Sequence, residues 1–163
     1  MNSNVRFAEH TETVRPEWID YNGHMNVGYY LLPFENASGA FCRHLDISKA
    51  YRERTNHAVF AAETHLTFER EVKEGDLLRF ETQLLDWSAK WINLIHFMHN
   101  ADAGYLAATN QLLFVHVDLD TRRAAPMSDI HQERLAAMMA EHGTLPMPPQ
   151  AGRAIGAARK AAD

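Results

Sequence analysis

Hydrophobic and polar positions change their period several times along the chain, and each change predicts an element. Thr11 to Arg15 alternates as a short strand would, and Pro16 stops it. Residues 27–45 place Tyr30, Phe34, Ala37 and Phe41 on one helical face, with Leu31, Ala40 and Leu45 on the others. A helix apolar on most sides is a buried helix. Pro33 either kinks it or occupies its first turn, with residues 27–32 as a looser lead-in. Asp46 reads as the N-cap of a second, more polar helix, ISKAYRERT. After Asn56 the period shortens to two. Ala58–Val72, Leu77–Leu85, Trp91–His99 and Tyr105–Leu119 read as four long strands in an antiparallel meander. Asp129 to His142 returns to helix, with Ile130, Leu135, Met138 and Met139 on its apolar side.

These elements set an α+β expectation: one antiparallel sheet wrapped around one long central helix, plus a C-terminal helix. Residues 1–10 read as a loose leader, 11–142 as the domain, and 143–163 as a mobile Pro/Ala-rich tail. A curled sheet keeps two open edges, so a homo-oligomer, a dimer or a tetramer, is expected.

Composition narrows the chemistry. The chain has 163 residues, 46% of them hydrophobic, and a net charge of −5. No basic stripe is available for a phosphate backbone, so no nucleic-acid partner is expected. One cysteine, Cys42, rules out an intrachain disulfide framework, and its apolar neighbours mark it as buried and inert. The ten histidines are scattered, and His96 and His99, three apart on a strand, face opposite sides. Neither a metal nor a cofactor is expected. No apolar leader and no long apolar run occur, so the expected address is the cytoplasm, without membrane contact.

The densest polar cluster is Asp20-Tyr21-Asn22-Gly23-His24-Met25-Asn26, just ahead of the buried helix. It is turn-rich yet carries Trp18, Ile19, Tyr21 and Met25, so it is expected to pack against something. A helix start offers unpaired backbone N–H groups and positive potential, which polarise a docked carbonyl. A carboxylate a few residues upstream, Asp20, can then act as base or nucleophile at the same carbon. His24 and Asn26 can hold the loop or a water. The plain alternative is that Asp-x-Asn-Gly is only turn chemistry.

The segment VRPEWIDYNGHMNVGYY, followed by a helix and long strands, resembles the hotdog-fold acyl-CoA thioesterases of the 4-hydroxybenzoyl-CoA thioesterase-like group. The resemblance covers about residues 11–120. It implies a catalytic carboxylate at Asp20, a carbonyl-binding amide near Val27, and acyl-CoA sites at a dimer interface. A finer likeness, carried by VRPEWIDYNGHM, AAETH at 61–65 and the late LLFVHVD, is to thioesterases that hydrolyse betainyl-CoA in carnitine catabolism. Those are sometimes fused to a dehydrogenase, for which this sequence shows no Gly-x-Gly-x-x-Gly.

A betainyl group carries a quaternary ammonium, which favours aromatic faces and carboxylates. Trp18, Tyr21, Tyr29, Tyr30, Phe34, Trp87 and Trp91 supply rings, though any one ring is more simply read as core. Glu35 or Glu63 supplies opposite charge; Glu63, amid apolar residues, is expected to be buried and to share a strand face with His65. Arg43, Arg54, Arg70, Lys73 and Lys90 are candidates for CoA phosphates. Competing readings are a hotdog hydratase or dehydratase using Asp20 and His24, and a non-catalytic acyl-CoA-binding dimer. The sequence lacks a His-Phe-Pro dehydratase motif and keeps the carboxylate at position 20.

Overall fold

The structure is a computed structural model and describes residues 6–156. Its elements run β1 (Phe7–Thr13), α1 (Leu31–His44), α2 (Lys49–Thr55), β2 (His57–Phe68), β3 (Leu77–Ser88), β4 (Trp91–Asn100), β5 (Leu106–Asp118), β6 (Arg123–Ala124) and α3 (Asp129–His142). One antiparallel sheet has the order β1-β3-β4-β5-β2, with β6 added to the end of β5. It curls around α1, giving the expected hotdog architecture.

Strand alternation splits the sheet into two faces. Leu84, Ile92, Leu94, Leu112 and Phe114 pack with Phe41 and Leu45 of α1 and its end. Leu78, Phe80, Met98 and Ala108 pack with Phe34 and Ala37. The side chains between them, among them Leu85, Ile95 and Phe97, form a smaller cluster on the outer face. Pro33 is the third residue of α1, inside the first turn, where its missing N–H costs nothing; a separate 3-10 turn, Val27–Tyr29, precedes the helix.

Several elements differ from the sequence expectation. Only β3, β4 and β5 form the meander; β2 lies beyond β5 at the sheet edge. The segment after β2 is no hairpin, because Gly75 N–H donates to Val14 O and Val72 O accepts from Met25 N–H. Those bonds carry the chain back across the sheet. β1 begins at Phe7, so residues 7–10 of the expected leader are strand, and residues 1–5 lie outside the described residues. Its Phe7 ring meets Phe41 edge-on at 5.7 Å, an apolar anchor that no alternation announces. Ser48, not Asp46, precedes α2; Asp46 takes a left-handed conformation (φ 62°) and pairs with Arg54. Ile130 is exposed on α3, where His131 and His142 are buried instead. Residues 143–156 are tied to the sheet: Gly152 N–H donates to Gln111 Oε1 (2.7 Å) and Gln150 Nε2 to Glu69 Oε1 (3.0 Å). The rest of the expected tail, 157–163, lies outside the described residues.

One polar chain crosses the core. Ser38 Oγ donates to Phe34 O, so His96 Nε2–H donates to Ser38 (2.9 Å) and Nδ1 accepts from Thr82 (2.7 Å). His96 is neutral in that arrangement, and burial pushes its pKa down to about 3. Burial also lowers His116 and His131. An imidazole that titrates near 6.5 unfolded but lower when folded stabilises the fold fully above 6.5, and that stability drains as pH falls towards the folded value. His96 alone should cost about 2 kcal/mol between pH 6.5 and 5. Thermal melts from pH 7 to 5 should show a falling Tm before most carboxylates titrate; a flat Tm across that window contradicts the arrangement.

Candidate active site

The loop from Trp18 to Asn26 is folded by its own backbone. Asn26 N–H donates to Trp18 O (2.8 Å), Asp20 N–H to His24 O (3.1 Å), and Gly23 N–H back to Asp20 O (3.0 Å). Gly23 has φ +80°, a conformation that L side chains rarely adopt, which is what the tight return requires. Met25 is 2% exposed and Trp18 3%, so both clamp the loop onto the core beside Val72. This accounts for the apolar residues in an otherwise turn-like segment.

Asp20 and the start of the helical region converge through one side chain. Asp20 Oδ1 accepts from Asn22 N–H (2.8 Å), and Oδ2 accepts from Asn26 Nδ2 (3.3 Å). Asn26 Oδ1 in turn accepts from Gly28 N–H (2.9 Å), capping the 3-10 turn. A Cβ on Gly28 would lie 3.2 Å from that oxygen, so glycine gives the cap its close approach. With Gly28 N–H engaged, the Val27 N–H is left as the first amide of the turn with no protein acceptor among the described residues. His24 stands on the other side. Its Nδ1 bonds Glu71 Oε2 (3.1 Å), and its Nε2 lies 3.9 Å from Asp20 Oδ2. That hydrogen bond, with Lys73 nearby, holds the Glu71 carboxyl below its ordinary range. The Asp20 side chain is 15% exposed, ordered by three neighbours yet open to a water or a ligand.

The structure thus brings Asp20, His24, Asn26 and Val27 together. It places the other candidates differently. Trp18 and Tyr30 are core: Trp18 stacks on Tyr29 (6.5 Å) with the Arg15 guanidinium 5.1 Å from its ring, and Tyr30 meets Phe68 edge-on (4.9 Å). At 3% and 5% exposure, neither has a face free for a ligand. Burial raises the Tyr30 phenol. Tyr21 is 98% exposed on the loop. Glu63 is exposed, not buried, because β2 is an edge strand. Glu63 and His65 do share a face, but it is the outer one. They pair with Leu113 and Gln111, which alternate with the inward-facing Leu112 and Phe114. Both residues are therefore separated by the sheet from the Asp20 cluster of their own chain. Cys42 is buried, with its thiol pushed up to about 12, mainly by burial. Glu71, the partner of His24, was not legible in the sequence, since it lies 47 residues away.

The hotdog sheet agrees with the expected resemblance to acyl-CoA thioesterases, and sequence comparison shows the family. Residues 14–135 match the Thioesterase-like superfamily, and the chain belongs to that family. It is 37% identical to the betainyl-CoA thioesterase of Pseudomonas aeruginosa, over 88% of this chain and 90% of that one. It is 34% identical to the L-carnitine dehydrogenase/betainyl-CoA thioesterase of Agrobacterium fabrum, over 92% of this chain but 30% of that longer protein. Among solved structures, a Staphylococcus aureus protein in complex with CoA superposes with a TM-score of 0.86 at 26% identity, covering 96% of this chain and 99% of that one. A putative thioesterase from Pseudomonas putida gives 0.79 at 27% identity, covering 93% and 97%.

Proposed function

We propose that this chain is a cytoplasmic homo-oligomeric acyl-CoA thioesterase that hydrolyses betainyl-CoA to betaine and CoA. The observation that supports the reading is the Asn26 bridge, which donates to the Asp20 carboxylate and accepts from Gly28 N–H, the amide next to that of Val27. The Val27 N–H receives the thioester carbonyl oxygen and stabilises the negative charge that develops on it. Asp20 takes a proton from a water as the water oxygen bonds to the carbonyl carbon. The C–S bond then breaks, the acid forms, and the proton passes to the departing thiolate. His24 and Glu71 flank Asp20 and fix its surroundings rather than reacting.

The substrate assignment rests on the similarity to betainyl-CoA thioesterases. A dimer is supported by the free edge of β2 and by its exposed Phe60 and Phe68, 46% and 48% accessible. Among the described residues no helix is long and apolar enough to cross a membrane. The test is thiol release from a panel of acyl-CoAs. Betainyl-CoA should give the highest kcat/KM, and a better uncharged acyl-CoA would overturn the substrate assignment. Absence of thiol release from every acyl-CoA would favour the binding-only reading, and loss of substrate absorbance without thiol release the hydratase.

A further inference from the structure

The contact between His24 and Glu71 is set by backbone on both sides. Met25, the residue after His24, donates its N–H to the carbonyl of Val72, the residue after Glu71, at 2.9 Å. The two side chains therefore leave neighbouring stretches of main chain. A second bond fixes the same stretch: Tyr105 Oη–H donates to Glu71 O at 2.8 Å, and the Arg70 guanidinium lies 4.1 Å from the Tyr105 ring. Glu71 thus has an exposed side chain on a pinned backbone. One of its carboxylate oxygens meets His24 Nδ1 at 3.1 Å, and the other lies 3.6 Å from Lys73 Nζ.

A carboxylate accepts and never donates, so the hydrogen in the His24–Glu71 bond belongs to Nδ1. Lys73 already answers the Glu71 charge, so a neutral imidazole satisfies the bond. That bond decides the state of the other ring nitrogen: with the hydrogen on Nδ1, Nε2 carries only a lone pair. Nε2 lies 3.9 Å from Asp20 Oδ2, beyond hydrogen-bond reach. Oδ2 accepts from Asn26 and keeps a second acceptor position. Two acceptors at this spacing are joined by one molecule that carries two hydrogens. An oxygen about 2.8 Å from each subtends roughly 90°, which the two O–H bonds of water match with slight bending. Water held in this way has both hydrogens engaged and its lone pairs left for a carbonyl carbon. In the opposite tautomer Nε2–H would donate to the water oxygen and occupy one of those lone pairs.

We propose that Glu71 is a positioning residue for hydrolysis: it fixes His24 as the Nδ1–H tautomer, so that His24 Nε2 and Asp20 Oδ2 each accept one hydrogen of the attacking water. The inference rests on the thioesterase reading above and adds the residue that orients its nucleophile. As the water oxygen bonds to the carbonyl carbon, the hydrogen on the Asp20 side passes to that carboxylate. The hydrogen on the His24 side stays as the hydroxyl of the new acid. The C–S bond breaks, and the proton on Asp20 leaves with the thiol of CoA. Glu71 touches neither the water nor the acyl group and acts through His24 alone.

The hold on His24 is read without substrate, by nitrogen NMR of imidazole-labelled protein at about pH 8, above the ordinary imidazole range. The His24 signals are identified by their loss in His24→Ala. Wild type should show a pyrrole-type nitrogen at Nδ1 and a pyridine-type nitrogen at Nε2. Glu71→Ala should lose that preference, and Glu71→Gln, whose amide oxygen accepts the same hydrogen, should keep it. A hydrogen on Nε2 in wild type, in the other tautomer or in an imidazolium, overturns the assignment. In thiol release at the same pH, Glu71→Ala should lower kcat about tenfold with KM within about twofold, and Glu71→Gln should recover most of the loss. Glu71→Ala placed in a His24→Ala chain should cost nothing further. An unchanged kcat in Glu71→Ala, or a full additional loss in the double variant, overturns the positioning role while wild-type thiol release keeps the thioesterase reading. A wild type that releases no thiol from any acyl-CoA overturns both.

Discussion

Asp20→Asn should lower kcat for thioester hydrolysis by about a thousandfold, with little change in KM. The amide still offers one oxygen to Asn22 N–H, so the turn is retained. It cannot take a proton from water, and it turns one N–H group towards the Asn26 amide, which itself donates at this position. Because Asn26 also caps the turn through Gly28, part of the loss reflects a loosened Val27 amide. Single-turnover thiol release separates this from slow product release. A variant within about threefold of wild type would remove Asp20 from the chemistry and leave the cluster as turn structure alone.

Phe34→Ala should destabilise the fold by about 3–5 kcal/mol. Phe34 is 0% exposed, meets Phe80 edge-on at 5.6 Å and lies over His96 at 6.3 Å. Its removal leaves a cavity beside the Ser38–His96–Thr82 chain, whose groups cannot turn to solvent. The ring also seats the first turn of α1, so hydrolysis should weaken even where the variant stays folded. Urea unfolding with an unchanged m-value measures the loss. A cost under about 1 kcal/mol would mean that the core collapses around the gap and that the helix start is held from elsewhere.

Both predictions act at the junction of loop and helix, and that junction shows how far local pattern reaches. The DYNGHMN cluster, the buried face of the following helix and the bounds of α3 could be read from spacing and turn chemistry. Hydrophobic period reports burial within one element, and turn residues report local backbone shape; both are properties of neighbours in sequence. The order of strands is not. The four alternating segments read as a meander, yet β2 is carried to the far edge by bonds from Val14 and Met25, residues more than forty positions upstream of their acceptors and donors in the connection. The same distance hid Glu71 from His24 and Phe7 from Phe41.

The sequence by itself determined the α+β class, the wrapped helix and the carboxylate beside its start, because each is written in residues close together along the chain. Only the tertiary structure decided which rings were spent on the core, that Glu63 and His65 point outward, and that Glu71 meets His24. Which face of a strand meets the helix depends on register against its neighbour, and a shift of one residue would reverse it. Trp18 and Tyr30 became core because the loop folds back onto Val72 and Phe68. That contact is set by packing across the sheet, and no local pattern of residues encodes it.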